Sequence, residues 1–197
     1  KIVTHIDIAL RESELKLEDI DGFGVGLGPG SWTGTRVGVT VAKTLAFSMG
    51  KPVCGISTLE VLAFQAKKSS RLICPIISVG SKDTVYAAFY RRQDGALARE
   101  GEYYVGDLSG LAKMISEPVV LIGTGIDSYL RTIKQASARI DIEAIEDAPR
   151  GASVALLALA RFQRGESDDV LSLAPLYLKE STARAFISKY TVAQGKG

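Results

Sequence analysis

Apolar residues recur at Ile2, Ile6, Ala9 and Leu10, a spacing of three to four that predicts an amphipathic helix over residues 2–10. No capping residue precedes it, so the natural protein is expected to begin upstream of Lys1. The period then changes. "DGFGVGLG" (21–28) reads as a short buried strand in which Gly24 and Gly26 suit the close approach of another backbone. A helix follows from about Thr33 to Ser48, stopped by Gly50 and Pro52. "PVCGI" (52–56) is a strand, and residues 57–68 form a helix opened by Ser57 and Glu60 at capping-box spacing. This β-α-β-α rhythm with short connections predicts a layered α/β fold.

The polar stretch "KKSSR" (67–71) is the expected boundary between a first domain, 1–68, and a second, 69–197. Beyond it, 72–80, 84–92 and 97–105 read as strands, the last two joined through Asp94-Gly95, a strong hairpin signal. A helix near 107–116, a strand at 119–123, a helix near 125–136, a strand at 139–145 and a helix at 152–165 complete the order. The tail from Leu173 is partly apolar and is expected to pack back onto the body.

The helix after Thr33 has an unusual wheel. Val37, Val41, Thr44, Leu45 and Ser48 line one side, and Val39, Ala42, Ala46 and Met49 line another. Its charges are Arg36 and Lys43 alone, so both sides are expected to be covered, one of them by a partner.

Composition narrows the class. The 197 residues are 46% hydrophobic, enough for a sizeable core, and 24 basic against 22 acidic residues give no overall pull on nucleic acid. No apolar run reaches a membrane span and no leader is visible, so a cytoplasmic location is expected. Cys54 and Cys74 each lie in apolar runs and are expected to be buried, unpaired thiols.

"GLGPGSWTG" (26–34) carries the candidate chemistry. A glycine turn entering a helix can cradle phosphate, but Pro29 and Trp32 break both nucleotide-loop templates. Ser31 misses the spacing of a nucleophile elbow by one residue, and the single histidine, His5, is distant in sequence. A structural turn of Gly28, Pro29, Gly30, Ser31 and Gly34, with Ser31 or Thr33 capping the helix, accounts for the pattern better.

These residues carry a resemblance. "GLGPGSWTGTRVGVTVAKTLAFSMGKPVCGISTLEVLA" resembles the GxGPGSFTGLRxGxxxAKGLA hallmark of the bacterial TsaB (YeaZ) family and the run that follows it. "VYAAFYRRQDG", "LIGTGI" and "APLYLKES" resemble later family segments. The resemblance implies an actin/Hsp70/sugar-kinase-like fold of two lobes, with the N-terminal lobe incomplete. It lacks the first strand, I-D-T-S-type loop and hairpin of the family pattern. The implied role is a non-catalytic partner of TsaD, which installs threonylcarbamoyl on adenosine 37 of tRNA. A TsaE-like ATPase, tRNA reached through the complex and a homodimer are the further partners it implies. No cofactor or metal is expected, since His5 has Ala9 four residues on where a metal motif would need a second histidine. Val79-Gly80-Ser81 and Thr84 depart from the family's D-A-R and glutamate, which argues against nucleotide or acid/base chemistry there. With the helix wheel, the resemblance places a partner interface on Ile2, His5, Ile6, Ala9, Trp32, Arg36, Val37, Val41 and Leu45. The alternative is an ATP-binding chaperone-like or peptidase-like protein of the same fold.

Overall fold

The computed structural model describes residues 1–66, 70–78, 84–93, 95–136 and 141–178. The first half runs α1 (Ile2–Glu12), a single 3-10 turn at Leu17–Asp19, β1 (Phe23–Gly26), α2 (Trp32–Met49), β2 (Val53–Ile56) and α3 (Thr58–Gln65). The second half runs β3 (Leu72–Ser78), β4 (Val85–Gln93), β5 (Ala96–Gly106), α4 (Leu108–Met114), β6 (Val119–Gly123), α5 (Ile126–Ala136), β7 (Ile142–Glu146) and α6 (Gly151–Gln163). The order and type of these elements follow the periodicity, with ends displaced by a few residues.

The strands form two sheets. β1 and β2 pair in parallel, Phe23 opposite Val53 and Gly26 opposite Ile56. The larger sheet has the order β5-β4-β3-β6-β7, antiparallel from β5 to β3 and parallel from β3 to β7. Gln93 pairs with Ala96 and Gly95 has φ 83°, in keeping with the predicted hairpin; Asp94 lies outside the described residues.

Alternation along β3 and β6 explains why their sequences are apolar throughout. Cys74, Ile76 and Leu121 face α4 and α5, where Leu111, Ile126 and Ile133 are fully covered. Ile73, Val120 and Ile122 face the opposite way, against Leu59, Leu62 and Ala63 of α3. Both thiols are free and buried, as expected. Burial raises the pKa of each thiol above its usual value, as the dominant cause for Cys54 and the only one for Cys74.

The small sheet is also covered on two faces. α2 lays Val39, Ala42 and Ala46 against Val25 and Val53. α6 lies on the other face, with Ala158 against Cys54, Ile56 and Val61. A Cβ on Gly24 would sit 2.8 Å from the Ala158 Cβ and 3.3 Å from the Val154 carbonyl oxygen, so the predicted close approach at Gly24 is that of a helix. At Gly26 nothing lies within 4 Å, and the expectation fails there. The capping box of α3 also fails. Ser57 is its N-cap residue but makes no capping bond; its buried hydroxyl is turned toward the Tyr90 side chain instead.

After α6 the chain returns as a strap. Asp168 N–H donates to the Val53 carbonyl at 2.8 Å, closing the free edge of β2. Its carboxylate accepts from Gly55 N–H at 2.7 Å and from both terminal nitrogens of Arg161 at 2.7 and 3.1 Å. Lys43 Nζ then donates to the Leu171 and Leu173 carbonyls at 2.9 and 2.7 Å, and Leu176 N–H to the Leu27 carbonyl at 2.8 Å. Leu173 and Leu178 pack into the two cores, so the expected return of the tail holds for residues 173–178; its remainder, 179–190, lies outside the described residues.

Candidate partner-binding surface

The glycine turn is built to start a helix. Gly28 has φ 96°, a conformation that suits glycine, and its carbonyl accepts from Thr58 N–H at 2.8 Å, fixing the turn to α3. Ser31 Oγ accepts from Gly34 N–H at 3.3 Å, and the Ser31 carbonyl accepts from Thr35 N–H at 2.8 Å. The hydroxyl that an elbow would need is thus the cap of α2. His5 is exposed on α1, with Nδ1 2.7 Å from the Lys1 carbonyl oxygen. At the other end Gly50 closes α2 in the left-handed conformation, φ 62°.

Around its axis α2 presents different surroundings. One side is the core of Val39, Ala42 and Ala46. A second borders an apolar groove of about 540 Å³, walled by Gly38, Val41 and Leu45 of α2 and by Ile2, Ile6 and Ala9 of α1, with Phe23 and Val25 on its floor. Among the described residues no strand pairs with the outer edge of β1, which borders the same groove. Five of the nine residues expected at an interface are therefore brought together: Ile2, Ile6, Ala9, Val41 and Leu45.

Val37 stands outside the groove, 45% exposed, and Phe47 on the same helix is 67% exposed. Of the two sides of the wheel, one is buried at Val39, Ala42 and Ala46 and half-covered at Met49; the other is half-covered at Val41 and Leu45 and exposed at Val37, Thr44 and Ser48. α1 is held loosely. None of its residues is buried, and Val3 and Ile8 face solvent. Leu15, an exposed apolar residue lining the groove, was not singled out by the sequence; Phe47, also exposed, lies about 20° around α2 from Arg36, on the strap side.

Trp32 and Arg36 lie elsewhere. They sit about 140–180° around α2 from Val41, on the side crossed by the strap. The Arg36 guanidinium carbon is 4.1 Å from the centre of the Trp32 ring, and its Nε donates to the Tyr177 hydroxyl at 2.9 Å. The two ring centres are 4.8 Å apart at 45°. Tyr177 completes this cluster from 141 positions away; the aromatic in "APLYL" was the only sign of it in the sequence.

A second recess lies between the sheets, a crevice of about 460 Å³ at the carboxyl ends of β3 and β6, lined by Pro29, Gly30, Ser31, Thr58, Ser78 and Thr124. Beside it, the Gly125 and Ile126 N–H groups at the start of α5 donate to the two carboxylate oxygens of Glu146 at 2.8 and 2.9 Å. These amides at a helix start, where an anion is favoured, hold the chain's own carboxylate. Residues 79–81, where the family's D-A-R would stand, lie outside the described residues.

Residues 1–185 match the family model described as TsaD, tRNA N6-adenosine threonylcarbamoyltransferase. The tRNA threonylcarbamoyladenosine biosynthesis protein TsaB of Bacillus subtilis (strain 168) is 30% identical over 181 residues, 89% of this chain and 77% of the relative. TsaB of Escherichia coli (strain K12) is 26% identical over 189 residues, 93% of this chain and 81% of the relative. Among solved structures, YeaZ from Pseudomonas aeruginosa superposes with a TM-score of 0.73 at 25% identity, over 88% of this chain and 82% of that one. A further Pseudomonas aeruginosa structure, described as similar to peptidase YEAZ, gives 0.76 at 26% identity over 90% and 82%.

Proposed function

The chain belongs to the TsaB (YeaZ) family and matches the TsaD family model, and from that membership we propose that it acts in tRNA threonylcarbamoyladenosine biosynthesis as a non-catalytic subunit. Its partner is a TsaD-like threonylcarbamoyltransferase, with a TsaE-like ATPase and tRNA joining through the complex. The same surface serves a homodimer when that partner is absent.

The observation that carries this reading is the α1–α2 groove. An amphipathic helix with none of its residues buried, beside a helix side that exposes Val37 and half-covers Val41 and Leu45, is apolar surface awaiting a second protein. Ser31 as a helix cap and Glu146 on the amides of α5 support a non-catalytic role, since both occupy positions a hydrolase or nucleotide site would use. Among the described residues no three of His, Cys, Asp and Glu gather as metal ligands, and no helix is long and apolar enough to cross a membrane.

Val41→Glu tests the interface. Val41 lines the groove and stands outside the core clusters, so the variant should melt within a few degrees of wild type. An unpaired charge in the contact should cost about 3–5 kcal/mol of association with the TsaD-like subunit. Unchanged binding, or loss of folding, rejects the interface.

A further inference from the structure

We propose that Trp32, Arg36 and Tyr177 form a stacking platform for an unpaired base of single-stranded RNA. The proposal rests on the reading of this chain as a subunit in tRNA modification and adds a direct RNA contact made by its own residues.

The platform is preorganised. Two aromatic rings, each 47% exposed, stand together on the strap side of α2, and the Arg36 guanidinium lies over one of them. The Tyr177 hydroxyl holds Arg36 Nε, so the planar cation keeps its place without a carboxylate. Unpaired bases stack on aromatic faces and guanidinium planes of this kind.

Trp, Tyr and Arg also anchor protein interfaces, and here charge decides between the two. From Gly22 to Leu59 the chain has no acidic residue, while Arg36, Lys43 and Lys51 are basic. Lys43 is committed to strap carbonyls and Lys51 lies 3.5 Å from Asp21. Arg36 has no carboxylate within ion-pair distance among the described residues. An anion with flat apolar faces satisfies this chemistry, and RNA is that anion. The groove on the far side of α2 is uncharged and has none of these features.

Trp32 is the only tryptophan, so its emission reports the platform directly. Titrating the full chain with a short oligoadenylate should quench that emission saturably, with a midpoint that rises with salt. Tyr177→Leu and Arg36→Gln should each weaken binding about tenfold or more, and so should Trp32→Leu, followed by anisotropy of a labelled oligoadenylate. All three variants should keep the wild-type melting transition, since each side chain is exposed. Equal binding of an abasic oligonucleotide of the same length would overturn the proposal, because phosphates rather than bases would then carry the contact. Absence of quenching and of any anisotropy change would overturn it too. Trp32→Leu should leave association with the TsaD-like subunit intact. Loss of that association, with no RNA bound by wild type, would make the cluster a protein anchor and end the RNA proposal while the proposed subunit role stands. RNA bound by the platform, with Val41→Glu still assembling normally, would overturn the groove interface alone.

Discussion

Asp168 shows how much one side chain can organise. Its carboxylate takes two hydrogen bonds from Arg161 and one from Gly55 N–H, and it is less than a third exposed. The Arg161 bonds, first among the causes, hold its pKa below the ordinary value, and the Gly55 amide adds to them against the pull of burial. A carboxyl depressed in the folded state stabilises fully above its unfolded pKa, and that stability is lost as pH falls through the folded value. Asp168→Asn should therefore cost about 2 kcal/mol at neutral pH. The gap to wild type should narrow as pH falls below about 3.9. Urea titrations of both proteins across that range would check it; a gap that does not change with pH would count against the account. Gly24 is a residue of a different kind, needed for what it lacks. A Val there would push against Ala158 and should cost about 1–3 kcal/mol, read from the same titrations.

At the scale of elements, covered and uncovered helices should behave differently in solution. α1 has no buried residue, whereas α3 buries Leu59, Val61, Leu62 and Ala63. Amides of α1 should exchange within the fastest class of the free protein and slow down when a partner fills the groove; slow exchange of α1 in the free protein would show that it is already fixed. The helices and strands themselves were readable because each period is long enough to register. The 3.6-residue period of residues 2–10 and the unbroken apolar run at 119–123 are examples. The capping box at Ser57 was misread because spacing alone does not show which way a hydroxyl turns, and here it turns inward. The uncovered side of α2 was legible in its wheel. The Arg36–Tyr177 bond was not, since nothing local in either segment encodes a contact across 141 positions.

Over the whole molecule, the two sheets share one covering helix, α3. α3 buries Leu62 against the large sheet while Val61 meets Cys54 and Ile56 of the small one, and α6 returns from the far end of the sequence to cover β1 and β2. The strap then ties α2, the glycine turn and the large-sheet core in one pass. That order has a consequence in time. Gly55 N–H on β2 is taken up by a carboxylate 113 positions later, so a ribosome adding 5–20 residues per second leaves that strand without its strap for roughly 6–23 s. Through this interval the nascent chain offers unpaired strand backbone to any neighbour, and the Cys54 thiol lacks the Glu166 carbonyl that receives it in the finished fold. The strap therefore acts as a clasp on the small sheet, and the speed of translation sets how long that sheet stays open to misassembly.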